Sequence, residues 1–240
     1  MTKLYKKSEL AFALVWIGIY VVSFSLADGA SASLGIEKCI TLPLAAALTA
    51  ILWLWIRKQG LSGKFGLVPF RGKAASYLYF LPLVLIVSVN LWFGVAQNLS
   101  VAETVLYMLT MVCVGFLEEV IFRGLLFCAM RRDNLKAAVI VSSVTFGLGH
   151  IVNLLGGAEV LSTLLQIIYA VAIGFLFTIL FIKSGSLVPC ILTHSAVNAL
   201  SAIAAERTDA ARFAGPVVLT IVPLAYAAWI LAKTKTKEQA

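Results

Sequence analysis

Charge is what this sequence has least of: Asp, Glu, Lys and Arg make up 12% of 240 residues, against 61% hydrophobic residues. A soluble globular domain carries about a quarter charged residues, so a water-exposed globule is excluded. Cysteine is sparse as well. Cys39, Cys113, Cys128 and Cys190 stand apart in apolar surroundings with no C-x-x-C or paired spacing. That excludes a disulfide or zinc framework and leaves them as small buried hydrophobes. The sequence has no H-E-x-x-H motif, no internal repeat, no low-complexity tract and no boundary that marks a second domain. Histidine occurs only twice. The net charge of +8 would suggest a nucleic-acid partner, but its placement follows a membrane instead, and no nucleic-acid partner is expected.

What the sequence does have is apolar length. Eight runs, at 9–27, 38–56, 75–96, 104–129, 137–154, 161–182, 186–204 and 213–232, each come close to the roughly 20 residues that cross about 30 Å of hydrocarbon. The expected fold is all-α, a polytopic transmembrane bundle of about eight spans forming a single integral membrane domain over 1–240. Lys3, Lys6, Lys7, Arg57, Lys58, Lys64, Arg71, Lys73, Arg131, Arg132, Lys136, Lys183, Lys233, Lys235 and Lys237 fall on one side of such a bundle. Only Lys38, Arg207 and Arg212 fall on the other, with Asp28, Glu37, Glu103, Glu159, Glu206 and Asp209. This bias places both termini in the cytoplasm. The first run also has a basic start and Ala30-Ser31-Ala32, as a secretory signal does, but its apolar stretch exceeds the usual 7 to 15 residues, so a retained helix is expected. The 57–74 connection, rich in Gly and basic residues, reads as a solvated loop beside anionic lipid.

Ionisable groups inside such runs need a reason, because each costs a few kcal/mol near the bilayer centre. The fourth run contains Glu118, Glu119 and Arg123. On a helix Glu119 and Arg123 are four apart in the favourable order for an ion pair, and Glu118 points about 100° away toward another partner. The two histidines, His150 and His194, both lie in runs. Glu118 is 13 residues from Arg131, His150 is 14 from Lys136 and His194 is 11 from Lys183. At 1.5 Å per residue these are about 20, 21 and 17 Å, so the three groups can meet at one depth. With Arg123 holding Glu119 ionised, Glu118 is left to act as a base in a low-dielectric cavity, polarising water together with His150. His194 and Asn198, four apart, present two N–H donors suited to an oxyanion. Phe146, one turn before His150, can wall the pocket, and Gly147, Gly149, Ser195 and Ala196 allow close helix approach. Each residue taken alone also has a structural reading: an ion pair, a packing ring, or a hydrogen-bonded helix connector.

Taken in order on separate runs, Glu118-Glu119-x-x-x-Arg123, Phe146-x-x-x-His150 and His194-x-x-x-Asn198 resemble the motifs of the CAAX-protease and bacteriocin-processing family (CPBP, or ABI) of glutamic intramembrane endopeptidases. Gly185-Ser186-Leu187 and Pro189 ahead of His194 add to the likeness. The resemblance covers about 104–204, the fourth to seventh runs, as a four-helix catalytic core. It implies that Glu118 and His150 activate water, that His194 and Asn198 form the oxyanion site, and that Glu119 and Arg123 support them. Members of this family include processors of prenylated CAAX proteins, bacteriocin-immunity proteins and peptide-maturation factors.

The expectation is therefore an endopeptidase in a bacterial cell membrane, reached from the cytoplasm or from lipid. Its partners are the bilayer and a hydrophobic or lipidated peptide or protein substrate, and no cofactor beyond water is needed. Three alternatives use the same residues. A zinc peptidase would ligate the metal with Glu118, His150 and His194. A proton-coupled carrier would relay protons through them, and a non-proteolytic immunity or chaperone protein would bind a peptide without cutting it.

Overall fold

The computed structural model describes the chain except for Lys73, Glu206, Arg207, Gln239 and Ala240 and the side chains of 74–76 and 234–238. Of the basic residues that set the expected orientation, Lys73 and Arg207 and the side chains of Lys235 and Lys237 thus lie outside the described residues. The described chain is helical, with one isolated antiparallel bridge between Val95 and Ala204. It is a multi-pass integral membrane protein, and its helices are α1 (Thr2–Lys7), α2 (Glu9–Ser33), α3 (Thr41–Lys58), α4 (Leu81–Ser88), α5 (Val101–Met130), α6 (Leu135–Gly149), α7 (Val160–Ser184), α8 (Val188–Ser201) and α9 (Ala214–Glu238).

Local chemistry sets the helix starts. Ser8, in an extended conformation, accepts a hydrogen bond from the Ala11 amide at 3.1 Å and begins α2. Ser100 and Glu103 form a reciprocal capping box at α5, each side chain accepting from the other's backbone N–H at 3.3 Å. Six of the eight expected spans have a helix long and apolar enough to cross a membrane. The other two are shorter. The 75–96 run divides into a 3-10 segment (Ala74–Phe80), α4 and a second 3-10 turn (Val89–Leu91), with Pro82 in the first turn of α4. In the 186–204 run, Gly185 at φ +68° ends α7 and Pro189 opens α8, a helix of 14 residues. At 1.5 Å per residue that is about 21 Å, short of the hydrocarbon thickness.

Contacts divide the bundle into two ends. At one, Lys64 pairs with Glu9 at 2.6 Å and donates to Tyr5 at 2.7 Å, the Trp55 indole donates to Thr2, and Leu187 N–H donates to the Gly66 carbonyl. This basic end gathers α1, the 57–74 loop, the α5–α6 turn with Arg131 and Arg132, and the α7–α8 turn. The loop is less solvated than its composition suggests: Phe65 is buried, and Gly66, at φ +67°, packs against Phe181. At the opposite end Lys38 bridges Asp28 at 2.9 Å and Glu37 at 3.4 Å, Glu37 N–H donates to Glu103, and Ala96 N–H donates to Ile203. Burial disfavours the Lys38 ammonium, but its hydrogen bond to Asp28 and the charges of Asp28 and Glu37 outweigh that and hold its pKa above the ordinary value.

Between the ends, α7 is the most enclosed span, with α6 and α9 packed along it. Two glycines bring helices close. A Cβ on Gly115 of α5 would lie 2.6 Å from the Ser195 amide nitrogen of α8, and one on Gly147 of α6 would lie 2.9 Å from the Ile167 carbonyl of α7. Gly149, expected to act in the same way, faces open space.

Candidate active site

Glu118 and Glu119 sit where α5 changes form. The helix is α-helical to Glu119 and π-helical from Val120 to Phe127, a wider turn of the kind found often at functional sites. The adjacent carboxylates diverge as helix geometry requires. Glu119 is fully buried, and its Oε1 accepts a 3.0 Å hydrogen bond from Nη1 of Arg123, also fully buried. Glu118 faces a cavity of about 690 Å³ also lined by Tyr20, Phe146, His150, His194 and Asn198; Glu119 and Arg123 lie behind its wall.

Arg123 rests on an aromatic face. Its guanidinium carbon lies 4.1 Å from the Phe146 ring centroid and 5.9 Å from that of Phe177. Among the described residues its Nε and Nη2 have no hydrogen-bond acceptor, so the cation depends on Glu119 and on the Phe146 ring. Gly174 of α7 makes the space for it, since a Cβ there would lie 2.8 Å from Nη2. Phe146 has a second task. Its ring meets those of His150 and His194 edge to face, with centroids 5.6 Å away in both cases, and so props the two imidazoles.

His194 lies between the two carboxylates. Nδ1 is 2.9 Å from Glu119 Oε1 and Nε2 is 3.3 Å from Glu118 Oε2. Glu119 Oε1 thus meets both the Arg123 guanidinium and the His194 ring. On Glu118 the other oxygen, Oε1, accepts a 2.6 Å hydrogen bond from the Tyr20 hydroxyl of α2. His150 caps the C-terminus of α6, where the chain tightens into the 3-10 segment His150–Gly156. Asn198 lines the cavity one turn beyond His194.

All seven residues expected from the sequence thus gather at or directly behind one cavity, with one difference in pairing. His194 contacts Glu119 and Glu118, where the sequence suggests it chiefly as the neighbour of Asn198. The sequence reading passes over Tyr20. Its signal was present, because interfacial tyrosines belong near span ends and residue 20 is at the middle of Glu9–Ser33, where a hydroxyl needs a protein partner.

Among the described residues, no three His, Cys, Asp or Glu side chains are grouped to hold a metal ion. The zinc version of the site therefore draws no support from this geometry. No curated protein and no solved structure matches the chain. Residues 100–200, the stretch that carries every side chain of the site except Tyr20, match the family model of the type II CAAX prenyl endopeptidases, Rce1-like, and it is to this family that the segment is similar.

Proposed function

We propose that the chain is an intramembrane endopeptidase of the glutamic type, hydrolysing a peptide bond in a hydrophobic or lipid-anchored substrate with water activated by Glu118 and His150. The observation that carries this reading is the division of labour between adjacent carboxylates. Glu119 is committed to Arg123 and His194, while Glu118 is open to the cavity and oriented by Tyr20.

In the reacting state His194 is protonated on both ring nitrogens and Glu118 is a carboxylate. Glu118 takes a proton from water, positioned by His150, as the water oxygen bonds to the peptide carbonyl carbon. The carbonyl electron pair moves onto oxygen, and that oxyanion is met by His194 Nε2–H and the Asn198 amide, each such donor worth about 100- to 1,000-fold in rate. The C–N bond then breaks, its electrons leave with nitrogen, and Glu118 returns the proton to the departing amine. The oxyanion's electron pair re-forms the C=O bond as the C–N bond breaks, and the products are an amine and a carboxylic acid that gives up its proton to solvent. Glu119 keeps Nδ1 of His194 protonated throughout, so that His194 acts as a cationic donor.

The test uses full-length protein in nanodiscs with quenched membrane-anchored peptides, some prenylated and some plain, and mass spectrometry to locate the cut. Cleavage is expected to persist in chelator and to be lost in His150→Ala. Loss with chelator and recovery with zinc would replace the glutamic reading with a metal-dependent one, and undiminished cleavage by a folded His150→Ala protein would sink the role given to His150. Tyr20→Phe removes one hydrogen bond to a charged group and should lower kcat by about 10- to 100-fold with little change in KM.

A further inference from the structure

We infer that the cavity takes its substrate from the extracytoplasmic face, as an extended polypeptide presented at the outer membrane surface. This rests on the endopeptidase reading for what happens to that polypeptide, but the direction of access follows from geometry and charge alone.

Every helix tells the same story about where the cavity runs. Its wall spans 20–32 on α2, 107–122 on α5, 146–156 on α6 and its 3-10 extension, 166–177 on α7 and 194–201 on α8. The lining reaches the end that holds Asp28, Glu37 and Lys38, through Ala32, Thr41, Tyr107 and Gly156, whereas toward the end that holds Lys64, Arg131 and Lys183 it stops at Phe122 and Phe177. At that end α6 is continued by the 3-10 segment His150–Gly156, which lines the cavity, while α8 stops at Ser201 and α5 and α7 run on to Val101 and Val160, the end meant being the one that holds Asp28, Glu37 and Lys38.

The other direction is closed. The floor is formed by Phe122, Phe146 and Phe177, with buried Glu119 and Arg123 behind it, and then by the packed rings of Phe127 and Phe181, 6.0 Å between centroids. A second cavity of about 250 Å³ at the basic end, beside Arg71 and Lys183, shares no residue with the first. Of the fifteen basic residues with described side chains, twelve belong to the closed end, two to the other and Arg123 to the middle, and such a bias marks the cytoplasmic side. The mouth therefore faces outward, rimmed by the Asp28, Lys38 and Glu37 ion pairs. This direction differs from the cytoplasmic or lipid approach that the sequence alone suggests.

Thiol labelling in sealed vesicles of both orientations tests this without requiring turnover. In a Cys39→Ser background, Gln166→Cys places a thiol on the cavity wall near the mouth, and Asp133→Cys in the α5–α6 turn reports the basic end. A membrane-impermeant maleimide should label Gln166→Cys only in right-side-out vesicles and Asp133→Cys only in inside-out vesicles. Labelling of both from the same side, or of Gln166→Cys from neither or both sides, would overturn the inference. In parallel, an impermeant quenched peptide added outside proteoliposomes of known orientation should be cut by wild type and spared by Glu118→Gln. Cutting only from the basic end would remove the proposed direction and keep the peptidase, whereas equal cutting by the variant would remove the peptidase and leave the labelling result to stand.

Discussion

Glu118→Gln should lower kcat by about 10³-fold, within the range for loss of a general base, while the protein unfolds at the same detergent or heat midpoint as wild type. The amide keeps the size of the carboxylate and still accepts from the Tyr20 hydroxyl, but it cannot take a proton from water. Glu119→Gln should behave in the opposite way. That residue is fully buried between Arg123 and His194, so removing its charge leaves a buried guanidinium without its anion. Breaking such a pair costs about 3 to 5 kcal/mol, and the loss should appear first as a lowered unfolding midpoint. Measuring kcat and unfolding side by side for both variants separates the two carboxylates. If Glu118→Gln retains wild-type kcat on a substrate that wild type cleaves, the base has been assigned to the wrong residue.

Gly115→Ala is the second large effect, and it acts at a distance from the chemistry. The new methyl would lie 2.6 Å from the Ser195 amide nitrogen and 2.9 Å from its Cα, atoms of a helix backbone that cannot rotate away. α5 and α8 must then separate, and they carry Glu118 and His194 one turn and less from the contact. A displacement near 1 Å is enough to cost about 100-fold in rate, and overpacking of this kind costs about 1 to 3 kcal/mol in stability. Ser195→Gly in the same chain should restore only part of the activity, because it removes the hydroxyl from the clash and leaves the main chain in place. Full activity in Gly115→Ala alone would mean that the interface relaxes without moving the site.

The membrane bundle was legible in the sequence because hydrophobic length and basic flanks are read one segment at a time. Helix breaks were harder. The eight runs were found by hydropathy, which does not see that Pro82 and the Gly185 to Pro189 stretch shorten two of the helices. For the site, counting residues from flanking Lys and Arg put Glu118, His150 and His194 at one depth, and they meet around one cavity. Depth says nothing of azimuth. Which face of α8 meets α5 is decided by Gly115 against Ser195, so the contact of His194 with Glu119 could not be read from spacing. The 57–74 loop misled for a related reason: composition reports its polarity, but Lys64 finds Glu9 across 55 positions and Phe65 enters the core.

The Tyr20 hydroxyl that reaches Glu118 comes from a helix 98 positions away, outside the 100–200 stretch that the family model recognises. The stretch that the family model matches and the set of residues that forms the proposed site are therefore of different extent. A fragment cut to the matched segment would keep every motif residue yet lose one wall of the cavity along with the hydroxyl bonded to Glu118. Transplanting or redesigning the activity requires the first long helix to travel with the motifs.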